Sequence, residues 1–171
     1  MRTILIGLAL TLAALPAAAQ TREQNWAKCK GVDPDLNVSG CTALIQSGRE
    51  TAADLAVAYR NRGSGYGALA LLDESIADET KAIALRPDYA EAYQSRGSAY
   101  ADKGLADQAI ADYTKAIALK PDFADAYSDR GGVYEEKGQR DQAIADYRAA
   151  LKLDPTDDGS KDALKRLHAT P

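Results

Sequence analysis

The feature that most constrains this chain is a period. The phrase "DQAIADYTKAIALKPD" occupies residues 107–122, "DQAIADYRAALKLDPT" follows thirty-four residues later at 141–156, and "DESIADETKAIALRPD" stands thirty-four earlier at 73–88. A fixed period of this size is the signature of one supersecondary unit copied in tandem. A single copy cannot bury its own apolar stripe, so the copies must stack. Three units follow from the register, 56–89, 90–123 and 124–157.

Counted from Ala56, Ala90 and Ala124, position 4 is aromatic in every unit (Tyr59, Tyr93, Tyr127). Position 8 is glycine (Gly63, Gly97, Gly131) and position 11 tyrosine (Tyr66, Tyr100, Tyr134). Positions 27 and 32 hold Ala82, Ala116, Ala150 and Pro87, Pro121, Pro155. Positions 4, 8 and 11 share one stripe of a first helix, and 20, 24 and 27 one stripe of a second. Small residues at 8, 20 and 27 let the two backbones approach, and the tyrosines fill the space beside them. Gly104 and Gly138 suit the left-handed residue that ends a helix. Asp73, Asp107 and Asp141 suit the N-cap of the second helix. The proline stops that helix, and Asp88 or Asp122 can cap the next. No segment alternates like a strand.

This layout resembles the tetratricopeptide repeat family over residues 56–157. The leucine usual at position 7 is replaced by Arg62, Arg96 and Arg130, and the first unit carries Ala70, Ser75 and Glu79 for the usual Gly, Ala and aromatic residue. The resemblance implies an all-α fold, an α-solenoid of helix-turn-helix repeats with N- and C-terminal capping helices. It also implies a concave face built from first-helix positions 2, 5, 9 and 12. Those are Val57, Arg60, Ser64 and Gly67; Glu91, Gln94, Ser98 and Ala101; and Asp125, Ser128, Gly132 and Glu135. The surface is small, polar and acidic toward its C-terminal end. It lacks the Lys/Arg/Asn set with which some members grip a C-terminal carboxylate, so a basic or extended polar segment is the expected partner.

The ends differ from the repeats. "MRTILIGLALTLAALPAAAQ" has one basic residue, an apolar run from Ile4 to Leu15, and Ala17-x-Ala19. It reads as a secretory signal peptide over 1–19, its run short of the roughly 18–20 residues that span a bilayer. The expected destination is the periplasm, with the extracellular space second, and no stable membrane anchor is expected after cleavage. Without Arg2 the chain has 20 basic and 25 acidic residues, a balance that offers no electrostatic footprint for nucleic acid. Cys29 and Cys41 are the two cysteines. An even count in an exported chain favours a disulfide, and neither a CxxC spacing nor a nearby histidine favours metal or redox chemistry.

Within 20–55, "DLNVSGCTALI" (35–45) echoes "DQAIADYTKAI" (107–117), aligning Cys41 with Tyr113 and Thr42 with Thr114. The segment reads as a degenerate unit, its first helix stunted around Trp26–Lys30 and stapled by the disulfide. Residues 158–171 read as a capping helix with Ser160 as N-cap and Leu164 and Leu167 covering the last unit. Lys165, Arg166 and His168 face outward there or sit near the helix C-terminus, where positive charge is favoured.

No catalytic constellation is visible. His168 is the single histidine, no phosphate-binding glycine loop occurs, and nothing gathers two carboxylates into a cleft. The chain is expected to be no enzyme and to need no cofactor. "DPTDDGSKD" (154–162) mimics a calcium loop, but Lys165 stands where the bidentate glutamate belongs. "NVS" at 37–39 matches a glycosylation sequon, relevant only in a eukaryotic secretory pathway.

What recurs without apolar need is a charge pair: Arg62, Arg96 and Arg130 with Asp78, Asp112 and Asp146. It reads either as a ladder of ion pairs, worth only about 0–1 kcal/mol per exposed rung, or as a basic stripe offered to a ligand carboxylate. Glu79 is expected to face solvent, or to pair with a group such as Arg62 where the array meets its N-terminal cap. The functional expectation is a non-catalytic protein–protein interaction scaffold in the cell envelope. Its alternatives are a self-assembling structural protein, or a binder of a small ligand or cell-wall glycan.

Overall fold

The computed structural model describes residues 21–170, and the expected signal peptide lies outside them. The described residues form helices α1 (Arg22–Cys29), α2 (Pro34–Ser47), α3 (Ala52–Ala68), α4 (Leu72–Leu85), α5 (Ala90–Asp102), α6 (Ala106–Leu119), α7 (Ala124–Glu136), α8 (Arg140–Leu153) and α9 (Asp158–Arg166). Each helix packs on the next in sequence, so the pairs stack in chain order. No strand occurs among the described residues.

The turn inside each unit closes in one way. The amides of Leu71, Leu105 and Gln139 donate to the carbonyls of Tyr66, Tyr100 and Tyr134 at 2.9, 2.9 and 2.8 Å. That closure needs a left-handed residue just before the donor. Gly104 (φ 73°) and Gly138 (φ 71°) supply it, and in the first unit Ala70 takes the same conformation at φ 57°.

The closure also corrects the expected caps. The N-caps of α4, α6 and α8 are Leu71, Leu105 and Gln139, none with a side-chain cap bond. Asp73, Asp107 and Asp141 lie inside the first turn, where their charge still favours the helix dipole. Asp73 and Asp107 pair with Lys103 and Lys137 of the next turn down the array. Asp88 and Asp122 do not cap either: α5 and α7 start from Tyr89 and Phe123. At α9 the cap is Asp157, which accepts from the Ser160 amide, and Ser160 itself is fully buried within the helix.

The N-terminal segment forms a helix pair. Asp33 caps α2, with Pro34 at its first turn, and α2 has the same 14 residues as α4, α6 and α8. A disulfide joins Cys29 to Cys41 with the Cα atoms 4.6 Å apart, and both residues are fully buried. The crossing is close enough that a methyl group at Gly40 would lie 2.7 Å from the Asn25 carbonyl oxygen. Asn37 of the sequon is buried, its amide donating to the Cys29 carbonyl at 2.6 Å, so it offers no acceptor for a glycan. Thr51 caps α3, so the first helix of the first unit begins at Ala52, inside the segment expected to precede it.

The core is thin and gathers in clusters along the array. In the second and third units the rings of Tyr113 and Tyr147 lie against Gly97 and Gly131, flanked by buried alanines at 109, 116, 143 and 150. At the C-terminal end α9 buries Ala163 and Leu164 against Ala143, Ile144 and Tyr147, with Leu167 packed beside them. At the other end Cys29, Cys41 and Leu44 pack with Ala58 of α3.

Candidate functional site

The recurring arginines and aspartates meet within each unit. Nε and Nη2 of Arg62 donate to the two oxygens of Asp78 at 2.6 and 3.0 Å. Arg96 holds Asp112 at 2.7 and 2.8 Å, and Arg130 holds Asp146 at 2.8 and 2.9 Å. The remaining nitrogen reaches back one unit: Nη1 of Arg62, Arg96 and Arg130 donates to Thr42, Thr80 and Thr114 at 3.0, 3.0 and 2.8 Å. Each guanidinium also lies 5.6 to 5.9 Å from the centres of the tyrosine rings at positions 4 and 11. The rungs are not exposed: the aspartate side chains retain 4, 10 and 9% of their surface.

Thr42 therefore plays the part of Thr80, from thirty-eight residues upstream instead of thirty-four. The four extra residues fall in α3, which has 17 residues where α5 and α7 have 13. At the far end the threonine position is Arg148, whose Nε donates to the Thr170 carbonyl at 2.9 Å.

The concave-face residues divide by what holds them. Arg60 and Ser64 line two adjoining hollows. One, of about 400 Å³, lies between the α1–α2 turn and α3 and includes Lys30, Asn37 and Asn61. The other, of about 360 Å³, lies between α3 and α5 and includes Ser75, Gln94, Ser98 and Asp102. Arg60 makes no ion pair among the described residues. Its Nη1 donates to Asn61 at 3.3 Å, and its Nε is buried without a partner.

Farther along, Glu91 accepts from Lys120 at 3.1 Å, and Gln94 reaches across to Asp129 at 2.6 Å. Ser128 shares a 3.0 Å hydrogen bond with Ser160 of the cap. Glu135 accepts from the Tyr147 hydroxyl at 2.8 Å and from Arg166 at 3.1 Å, so it too is turned to structure. Asp125 stays exposed.

The sequence reading missed Asn61, Ser95 and Asp129, which stand at position 6 of their units. The signal was present, since position 6 lies one turn from positions 2 and 9 on the same helical face. It also missed Asp102, at the end of α5. Asp102, Asp125 and Asp129 have no cationic partner among the described residues. Burial pushes the Asp129 carboxyl up from its ordinary value; the Gln94 hydrogen bond opposes that, and the negative field of Asp125, Asp157 and Asp102 adds to it.

Glu79 overturns its expectation. It neither faces solvent nor pairs with Arg62, which is committed to Asp78. Its side chain is fully buried, its carboxyl lies against Gly63, and neither oxygen has a hydrogen-bond partner. It takes the place of the tyrosine ring because both side chains fill the gap opposite the position-8 glycine. Burial holds its carboxyl well above the usual carboxylate range; Arg60 opposes this, Asp78 reinforces it, and Arg96 opposes it more weakly.

No group of three or more His, Cys, Asp or Glu side chains is placed to hold a metal among the described residues. In the calcium-like stretch, Asp154 accepts from Thr156 and Asp157 caps α9. No described helix is long and apolar enough to cross a membrane.

Sequence comparison matches two family models, one described as TPR repeat over residues 97–138 and one as Tetratricopeptide repeat over 124–157. No curated protein is a significant match. Among solved structures, the TPR domain of Arabidopsis OM64 is similar at 28% identity and TM-score 0.68, over 69% of this chain and 98% of that one. MamA is similar at 29% identity and TM-score 0.68, over 78% and 75%. The first TPR domain of Spaghetti (RPAP3), solved bound to the HSP90 peptide SRMEEVD, is similar at 26% identity and TM-score 0.66, over 68% and 92%. Period, packing and neighbours converge, and the described residues form an all-α solenoid of tetratricopeptide repeats.

Proposed function

We propose that this chain is a non-catalytic peptide-binding module of the cell envelope, whose concave groove takes an extended partner segment carrying basic residues. The observation that carries the reading is the set of groove carboxylates, Asp102, Asp125 and Asp129, left without a cation among the described residues. Like charges held together without counterions favour an incoming cation, which relieves their repulsion as it binds. The structure of the similar Spaghetti domain with a peptide bound supports the mode of binding. Export to the periplasm is motivated by the sequence of residues 1–19 and by the buried disulfide.

Self-assembly by end-to-end stacking is the weaker reading. A further unit would bring its position-7 arginine to a threonine, and at the C-terminal end that place is held by Arg148, bonded to the chain's own tail.

The test is titration of an extended Gly/Ser peptide with spaced lysines, and of its glutamate counterpart, by fluorescence anisotropy. The lysine peptide is expected to bind in a salt-sensitive manner, weakened by Asp129→Asn, and the glutamate peptide is not. Equal binding of both peptides, or of neither, overturns the reading. N-terminal sequencing of the protein from fractionated cells tests export, a start at Gln20 in the periplasmic fraction being the expected result.

A further inference from the structure

Two buried polar groups under the N-terminal third of the groove are left unsatisfied, one acidic and one basic. One is the Glu79 carboxyl, with no partner on either oxygen; the other is Nε of Arg60. Native interiors leave few such atoms, and each calls for a reason. Arg60 and Gly63 are three residues apart on α3, one above the other on the same face, and Gly63 is the residue against which Glu79 packs. No side chain at position 63 separates them.

The other charges near Glu79 are already committed. On α4, Asp78 is held by Arg62. On α5, Arg96 is held by Asp112, and Glu91 by Lys120. Before α5, Arg86 stacks on Tyr89 at 4.0 Å. Arg60, unlike Arg62 and Arg96, holds no carboxylate, and no ion pair joins it to Glu79. It lines both hollows of the groove instead.

We propose that Arg60 and Glu79 form a proton-operated latch beneath the groove. With Glu79 protonated, Arg60 stands at the groove floor and repels a cationic partner. With Glu79 ionised, Arg60 is drawn onto the carboxylate, and the hollow between α3 and α5 loses its lining cation, while Lys30 stays in the other. A buried carboxylate is tolerated only when a cation and hydrogen bonds meet it, and the long arginine side chain can supply both. The direction follows: affinity for a basic segment rises with pH as Glu79 loses its proton. This rests on the basic-partner reading above and specifies its regulation.

The experiment uses the full chain after export processing, wild type and Glu79→Gln, with two readouts. The first is the dissociation constant for the Gly/Ser/Lys peptide from about pH 5 to about pH 8.5. Wild type is expected to gain about fivefold or more in affinity beyond any gain in Glu79→Gln, whose neutral amide leaves Arg60 in place. The second needs no ligand: the nitrogen-15 resonance of Arg60 Nε, followed with pH, should shift in wild type and stay flat in Glu79→Gln. An Arg60 resonance that ignores pH, or moves equally in both proteins, overturns the latch. Equal pH gains in peptide affinity also overturn it, since that dependence then belongs to groove acids such as Asp129. If no lysine peptide binds at any pH, the basic-partner reading falls, and the Arg60 resonance still decides the latch.

Discussion

Thr114 accepts a 2.8 Å hydrogen bond from Nη1 of Arg130, across the boundary between two units. The same guanidinium grips both oxygens of Asp146. One side chain therefore ties three helices, α6, α7 and α8, and the arrangement recurs at Arg62 and Arg96. A solenoid is stable only when unit interfaces compensate for units too small to fold alone, and these bonds lie at those interfaces. Thr114→Val keeps the shape and removes the acceptor. It should cost about 1 kcal/mol in urea denaturation, with Thr80→Val behaving alike. No loss for either would mean that apolar packing alone couples the units.

Arg96→Leu should be far more costly than an exposed ion pair would suggest. It leaves Asp112 with a tenth of its side-chain surface in water and no cation. Breaking a buried pair from one side costs about 3–5 kcal/mol. Adding Asp112→Asn should recover part of the loss, because the stranded charge is gone. A double-mutant cycle from denaturant midpoints measures the coupling, and a single-variant loss under about 1 kcal/mol would contradict the burial.

The array could be read from sequence because its physics is periodic. Gly63, Gly97 and Gly131, with the tyrosines three residues beyond and the alanines at 82, 116 and 150, fix the stripes of both helices from spacing alone. The arginine–aspartate pairing was legible as a recurrence, while its partners at Thr42, Thr80 and Thr114 were not, since contact between units depends on how helices stack. The caps failed for a local reason: the amide of Leu105 closes on Tyr100 and starts the helix at Ala106, carrying Asp107 into the first turn. Glu79 failed because a charge usually marks a surface. Here register prevails over polarity, and position 24 is interior whichever residue occupies it.

Glu79→Tyr should stabilise the protein. A ring would fill the space against Gly63 as Tyr113 does against Gly97, and its hydroxyl could meet Ser64 as Tyr113 meets Ser98 at 3.2 Å. The gain should be about 1–3 kcal/mol near neutral pH. Its pH dependence has a definite sign. The folded-state pKa of Glu79 is raised, so the folded protein binds a proton that the unfolded chain releases. Stability from this group is fully present below the ordinary glutamate range and is lost as pH rises through the raised value. The advantage of Glu79→Tyr should therefore widen with pH, as thermal melts across that range would show. A constant gap would mean that Glu79 is not proton-linked.

Ala70 takes the left-handed conformation that Gly104 and Gly138 take in the later units. A side chain there costs about 1–2 kcal/mol relative to glycine, partly offset by the greater freedom of glycine in the unfolded chain. Ala70→Gly should raise stability by about 0.5–1 kcal/mol, read as a shift in denaturant midpoint at unchanged slope. A lower midpoint would show that the backbone at residue 70 is not strained.

The disulfide should matter locally. Cys29 and Cys41 close a short loop, and replacing both with serine should cost about 2–3 kcal/mol. The loss should concentrate in α1 and α2, which touch the array through α3 and have no second neighbour to brace them among the described residues. Hydrogen exchange measured helix by helix tests this: amides of α1 and α2 should exchange faster in the double variant, while those of α6 to α8 keep their protection. Trp26, the single tryptophan, packs beside the disulfide and gives an optical reading of the same event. Uniform loss of protection along the chain would show that the N-terminal pair folds with the array as one cooperative unit. Unchanged protection of α1 and α2 would instead assign their stability to the close crossing at Gly40 and the Asn37 hydrogen bond, with the staple adding little.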